Sequence, residues 1–392
     1  MTGPRLDADE LRAQMVRRLA AEEYLARWEA AIAPWWSALR AVPRHQFIPD
    51  TVWVDNDGRG PALLPLARAE EPDQWLELAY ADEAVITQVD DGRAAGSGQG
   101  GAMPTSSASS PLIVAVMLAA LDAQPGHRVC EIGTGTGYNA ALLAHRLGTD
   151  QVTTIEVDRD VAAQARSALT GTGYGGIRVI AGDGALGHPA QAPYDRVVAT
   201  AAVHRIPYPW VAQTRPGGRI LLPWANSYTE ALVALTVDEH GTGSGTIVGE
   251  SAFMRLRGQR ERRGPVRDIV ENERRAETSM TSLHPYWVSG DHGAQFAIAQ
   301  RVPRCQWRYW PYDEQDGLGV LWLLDFRSRS WAKLTHTTPD ASDDEFRVCQ
   351  YGPRRLWEEV HAAYRWWVDL GKPAAECWRF TVTQHAQRIE LE

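Results

Sequence analysis

The sequence predicts an α/β protein: a Rossmann-like, mostly parallel, doubly wound sheet with an extra α+β region at the carboxyl end. Three observations lead there. Short apolar runs alternate with helical patterns between residues 129 and 223. A glycine-rich turn joins the first run to the first helix. Tryptophans crowd the chain beyond residue 275. Strands alternating with helices imply a parallel sheet with its ligand at the carboxyl ends of the strands.

The first run, 129–132, leads into Gly133, Gly135 and Gly137 and then a helix to Leu147. The spacing is E-x-G-x-G-x-G, not the dinucleotide G-x-G-x-x-G. Alternate glycines let the backbone approach a ligand without a Cβ in the way. Glu131 suits a ligand with an amino group and a positive centre better than a pyrophosphate, and S-adenosylmethionine has both. The second run, 151–156, ends at Glu156, where a carboxylate for ribose hydroxyls belongs. The third, 177–181, enters Gly182-Asp183-Gly184. The fourth and fifth cover 194–200 and 217–223. Each acid alone reads first as a cap or turn former. Three at successive strand ends point to one crevice.

Glu131-Ile-Gly-Thr-Gly-Thr-Gly-Tyr138, Gly182-Asp-Gly184, Ala192-Pro-Tyr-Asp195 and Thr200-Ala-Ala202 resemble the protein-L-isoaspartate O-methyltransferase family. So do Arg44-His-Gln-Phe-Ile-Pro49 upstream and Phe253-Met-Arg-Leu-Arg257 downstream, and the likeness spans residues 10–258. It implies a class I S-adenosylmethionine-dependent methyltransferase. The implied cofactor site is Glu131, Gly133, Thr134, Gly135, Gly137, Tyr138, Glu156, Gly182, Asp183, Gly184 and Thr200. No metal site is implied. A Thr-x-Ser-(Gln/Ala)-Pro segment of the family lies over the transferable methyl and binds the substrate carboxylate. Matched by position, Ser107 takes the Thr place, Ser109 the Ser place and Pro111 the Pro, while Ser110 departs from Gln or Ala. Ser109 is the expected carboxylate-orienting group, with Ser107 and Ser110 beside it. Methyl transfer to a carboxylate is an in-line displacement on an already ionised acceptor, so alignment and exclusion of water suffice and no general base is needed. His204, after the fourth run, reads as a surface-loop residue, with substrate contact the minority reading.

Before the cofactor strand, residues 1–110 are expected to form a helical cap, an insertion and a substrate loop. A helix is expected over 7–32 from Leu11, Met15, Leu19, Tyr24, Trp28 and Ile32. Asp50 to Glu77 reads as an irregular insertion, and 90–103, with Gly96-Ser-Gly-Gln-Gly-Gly101, as a mobile stretch. The serine run 104–111 reads either as a linker or as the substrate loop. The methyltransferase core is expected over 111–258 and a charged linker over 259–280.

Residues 281–392 are expected to form a Trp-rich α+β domain for peptide recognition. Residues 295–299, 319–326 and 378–383 read as strands. A helix over 356–370 is closed by Gly371 and Pro373. This addition, Pro104-Thr-Ser-Ser-x-Ser109 and Ala81-Asp-Glu-x-Val-x-Thr-Gln88 resemble the enlarged family members that tailor ribosomally made lanthipeptides, lasso peptides and graspetides. That likeness implies a peptide partner, including a macrocyclic precursor, whose aspartate is methylated and passes through the ester to a succinimide (aspartimide) or isoaspartate. Two alternatives stand beside it. One is isoaspartyl (D-aspartyl) repair of damaged proteins. The other is a non-catalytic peptide-binding protein on the same fold.

Composition bounds the partners. The net charge of −9 argues against a nucleic-acid partner. Cys130, Cys305, Cys349 and Cys377 are scattered without metal or disulfide spacing. The amino terminus lacks a signal-peptide pattern, and no apolar run is long enough for a bilayer. A cytoplasmic enzyme with no membrane partner is expected, and the oligomeric state stays open.

Overall fold

The structure is a computed structural model that describes residues 6–56, 62–93, 100–261, 264–270, 273–313, 317–336 and 345–392. Helix α1 (Ala8–Ala21) is capped by the Asp7 carboxylate, which accepts from the Asp9 amide at 2.8 Å. The expected helix over 7–32 breaks at Glu22, whose backbone is extended (φ −70°, ψ 119°). Two single turns follow, α2 (Glu23–Ala26) and α3 (Glu29–Ile32), and then α4 (Trp36–Ala41). A straight helix of that length would run about 39 Å and carry its end past the core. The bends return Leu25, Ile32 and Trp35 to burial.

The stretch expected as an irregular insertion is regular. Strands β1 (Thr51–Asp55) and β2 (Leu63–Ala67) form an antiparallel hairpin, followed by helix α5 (Pro72–Tyr80). Its prolines at 65 and 72 fit these elements. Pro65 lies on an edge strand, and Pro72 opens a helix, where its missing N–H costs nothing. Strands β3 (Val85–Val89) and β4 (Pro104–Ala108) complete a four-stranded sheet in the order β2-β1-β3-β4. The serine run is therefore mostly strand, with Ile86 opposite Ser107. Residues 94–99 of the glycine-rich stretch lie outside the described residues.

Arg44 ties the elements of this cap to one another. It is fully buried, and its guanidinium donates to the carbonyl oxygens of Ala79, Glu83, Ala108 and Ser109. Burial pulls its pKa down to about 10, so it remains charged at neutral pH.

The core follows in order: α6 (Pro111–Leu121), β5 (Val129–Ile132), α7 (Tyr138–Leu147), β6 (Val152–Glu156), α8 (Arg159–Gly171), β7 (Arg178–Ala181), β8 (Tyr194–Ala199), α9 (Tyr208–Ala212), β9 (Thr214–Ala225), β10 (Glu230–Val237) and β11 (Gly243–Gly249). β7, β6, β5, β8 and β9 are parallel neighbours; β10 and β11 add antiparallel. The central strand β5 is buried at every residue. Its neighbours β6 and β8 lead to opposite sides, which makes the switch point where an open α/β sheet binds its ligand.

Beyond the core come β12 (Glu277–Thr281), α10 (His292–Arg301), β13 (Gln306–Asp313), β14 (Leu318–Asp325), β15 (Ser330–His336), β16 (Phe346–Tyr351), α11 (Leu356–Asp369), β17 (Trp378–Val382) and β18 (Gln387–Leu391). β12 to β16 form an antiparallel sheet in the order β12-β16-β15-β14-β13. Residues 295–299, expected as a strand, lie in α10. Asp291 caps that helix, accepting from the Ala294 amide at 2.8 Å. Gly293, Ala294, Phe296, Ala297, Ile298 and Ala299 are all buried, so no polar face marked the helical period.

The carboxyl end does not stay with that sheet. β17 pairs antiparallel with β11, and β18 with β17, extending the core sheet to nine strands. Trp378 and Phe380 pack with Phe296 and Trp224 at ring separations of 5.3 to 6.1 Å. Residues grouped as one carboxy-terminal domain are thus shared between two sheets. No helix among the described residues is long and apolar enough to cross a membrane.

Replacing Arg44 by Met should strand several buried carbonyls. The expected loss in urea unfolding is roughly 3 kcal/mol, with Lys failing to restore it because one ammonium cannot span the four acceptors.

Candidate active site

A cavity of about 640 Å³ lies at the carboxyl ends of β5 and β6, closed on one side by β4 and on another by residues 250–257. The glycine turn forms its floor. Gly133 (φ +97°) and Gly135 (φ +52°) adopt left-handed backbone that side chains rarely take. A Cβ on Gly133 would sit 2.6 Å from Thr200 Oγ1, and one on Gly135 would reach 3.5 Å from the Ser107 carbonyl oxygen. The glycine turn and the serine strand therefore face each other directly.

Glu131 is completely buried at this wall. Thr154 donates to its Oε2 at 2.6 Å and the Asn139 amide to its Oε1 at 2.7 Å. The hydroxyls of Thr134 and Thr154 are 2.7 Å apart, and since Thr154 gives its proton to Glu131, Thr134 is the donor between them. Burial pushes the Glu131 carboxyl up to about 7 against the pull of the Thr154 and Asn139 bonds. Thr200 donates to the Gly133 carbonyl at 2.5 Å, tying the turn to the end of β8.

Glu156 ends β6. Its Oε2 accepts from the Gly135 amide at 3.0 Å and its Oε1 from the Asp158 amide at 3.1 Å. An ionised carboxylate has about four lone-pair sites, so two remain for hydroxyl donors in the cavity. A buried acid by the turn, glycines that open the floor and an acid with spare acceptors at the next strand end fit an amino-acid nucleoside such as S-adenosylmethionine.

The structure brings Glu131, Gly133, Thr134, Gly135, Tyr138, Glu156, Gly184 and Thr200 to the cavity wall, along with Ser107, Ser109 and Ser110. It sets three other expected residues apart from that lining. Gly137 faces away, where a Cβ would meet Leu169 Cγ at 3.3 Å. Gly182 donates its amide to the Glu156 carbonyl at 2.8 Å. Asp183 is exposed and accepts from the Ala185 amide at 2.9 Å, capping a short turn. Among the serines, Ser110 Oγ accepts from the Ile113 amide at 3.5 Å as the cap of α6. Ser109 lines the cavity and is held through its carbonyl by Arg44 at 2.9 Å. His204 is exposed and outside the cavity lining; its amide donates to Gln259.

Several site residues were not singled out from sequence. Asp158 caps α8 with Oδ1 and receives Gln88 and Arg257, each at 3.2 Å, on Oδ2. Arg257 also reaches Asp91 at 3.2 Å, and Arg260 reaches Asp91 at 2.7 Å. These bonds close the cavity rim from β3 across to residues 257–260. The signal for Asp158 was available, since an Asp before a helix is a cap. Its second oxygen is spoken for only through tertiary contacts.

The raised Glu131 carboxyl has a calculable consequence. Unfolded, it loses its proton near its ordinary value of 4.5; folded, it keeps it to about 7. Stability should therefore fall as pH rises from about 4.5 to 7, by on the order of 3 kcal/mol. Glu131→Gln should remove that component of the slope in denaturant unfolding across this window. An unchanged slope would assign it to other groups.

Residues 71–261 match the family model for protein-L-isoaspartate(D-aspartate) O-methyltransferase (PCMT). A protein from Archaeoglobus fulgidus named protein-L-isoaspartate O-methyltransferase 2 is 33% identical over 255 residues, covering 65% of this chain and 96% of its own. A protein-L-isoaspartate O-methyltransferase from Methanopyrus kandleri is 30% identical over 254 residues, covering 63% and 92%. A solved structure named protein-L-isoaspartate O-methyltransferase superimposes over 97% of this chain and 99% of its own, at TM-score 0.52 and 19% identity, a likeness of fold. On the strength of relatives matched over nearly their whole length, this chain belongs to the protein-L-isoaspartate O-methyltransferase family.

Proposed function

We propose that the protein is an S-adenosylmethionine-dependent carboxyl O-methyltransferase whose acceptor is the free α-carboxylate of an isoaspartyl residue, whose side-chain carboxyl is already in the peptide bond, in a polypeptide. One observation carries the reading: the serine strand lies directly across the cavity from the glycine turn, with Ser107 and Ser109 on its wall. Family membership and the names of the relatives support the acceptor.

S-adenosylmethionine supplies a methyl group on a positively charged sulfur. The chain's own residues supply alignment. Glu156 accepts ribose hydroxyls while Gly135 and Asp158 amides hold it in place. Glu131 and Asn139 form the wall toward the amino-acid part. Ser109 donates to the acceptor carboxylate, orienting one oxygen without taking its charge. Arg44 fixes the Ser109 backbone, so that hydroxyl is presented by a buried anchor. The acceptor is ionised at neutral pH and needs no base. Closure of the rim by Asp91, Asp158, Arg257 and Arg260 keeps water from the reacting atoms. The ester formed is an electrophile, and attack by the following backbone nitrogen expels methanol and leaves a succinimide.

The tailoring of an aspartate in a ribosomally made precursor, macrocyclic or not, is the second reading. It rests on the carboxy-terminal addition and the serine-rich strand. The addition supports it less than its absence from smaller relatives implied, since a solved chain named protein-L-isoaspartate O-methyltransferase superimposes over nearly the full length. The names of the relatives favour the isoaspartyl acceptor. A binding protein without activity is the third reading, and the complete set of Glu131, Glu156 and Ser109 at one cavity weighs against it.

Labelled methyl transfer to two matched peptides tests the proposal. The isoaspartyl peptide should be methylated and its aspartyl twin should not. Labelling of neither, with cofactor bound in calorimetry, would favour a dedicated precursor. Ser109→Ala should lower kcat/KM by about tenfold or more, the worth of a hydrogen bond to a charged group. Its cofactor affinity should stay unchanged, and full activity would remove Ser109 from the mechanism.

A further inference from the structure

A second crevice, of about 440 Å³, opens beside the active cavity. It lies between the core loop from Asn226 to Glu230 and the carboxy-terminal region at Gln295, Trp307 and Arg308. The two cavities share one wall, Glu250, Ser251 and Ala252. Here the chain has left β11 and belongs to no helix or strand. Among the described residues no backbone hydrogen bond engages these three. The Ser251 hydroxyl is buried without a partner. Main-chain donors and acceptors left open between two cavities call for a ligand that carries the same groups in alternation.

The far side of the crevice is firmly built. Trp307 Nε1 donates to the Tyr228 carbonyl at 2.8 Å, and Gln295 binds the Ser289 carbonyl at 2.5 Å. Arg308 lines the crevice and also the outer face of the carboxy-terminal sheet, where Trp310 is 49% exposed. A path thus runs from the cavity over Ser251, past Trp307, to Arg308 and Trp310.

We propose that the crevice holds the polypeptide substrate on one side of the modified residue, its main chain pairing with residues 250–252 and its more distant side chains meeting Arg308 and Trp310. This rests on the carboxyl methyltransferase reading above. Continuity commits the crevice to that occupant, because a polypeptide whose free carboxylate enters the cavity leaves along a wall of it, and residues 250–252 are a wall of both. Extended main-chain pairing gives affinity with little demand on sequence, and an aromatic with a cation at the end adds preference.

Initial rates with labelled S-adenosylmethionine test it, using an isoaspartyl tripeptide and longer isoaspartyl peptides extended on the amino or the carboxyl side. Extension on one side should lower KM about tenfold relative to the tripeptide. Ser227→Trp, which fills the crevice, and Arg308→Ala should each remove most of that gain. Both should leave the tripeptide kcat/KM within about twofold of wild type, which also shows that the variants fold. A KM independent of length, or a gain that survives both variants, overturns the proposal. No transfer to any peptide, with cofactor still bound, overturns the acceptor reading itself and this proposal with it.

Discussion

The buried guanidinium of Arg44 is the constraint on which the arrangement depends. A charge taken out of water must be compensated, and among the described residues no carboxylate bonds this one. Carbonyl oxygens from the end of α5, from the turn before β3 and from the end of β4 do. The four carbonyls come from three separate stretches of the cap. One side chain thus holds the end of the serine strand at Ala108 and Ser109, next to Ser107, whose carbonyl faces the glycine turn.

On the cofactor side the acids serve the protein first. Both oxygens of Glu131 are taken by Thr154 and Asn139, and both oxygens of Glu156 by backbone amides. They hold the turn open before any ligand arrives, so the cavity is formed in advance and little ordering remains for binding to supply. Burial at Glu131 is tolerated because its bonds are short and complete. It still leaves the carboxyl well above its ordinary range.

The carboxy-terminal region is joined to the core by more than a linker. β17 and β18 complete the core sheet, and α10 packs its Phe296 against Trp224 of β9. A sheet edge at β11 that would otherwise be open is thereby paired, which protects it from association. The antiparallel sheet of β12 to β16 is held close to the active cavity by this arrangement. The crevice between them exists because two sheets are locked together by one chain end.

Local sequence determined what local chemistry controls. Glycines at alternate positions, acids at strand ends and apolar runs of strand length fixed the order β5 to β9, the glycine turn and the position of Glu156, because each depends on neighbours a few residues away. The helix over Leu356–Asp369 was equally legible, since one face is apolar and Gly371 ends it. Only the tertiary structure decided the rest. A helix at 292–301 whose apolar residues are nearly all buried carries little period to read, a hairpin over 51–67 depends on a cap sheet that residues far along the chain complete, and Asp183 turned to cap its own loop. That Arg44 would find four carbonyls, that Asp158 would meet Arg257, and that the last strands would return to β11 are all matters of long-range contact. Pairing partners separated by tens or hundreds of residues leave no mark in the spacing of either one.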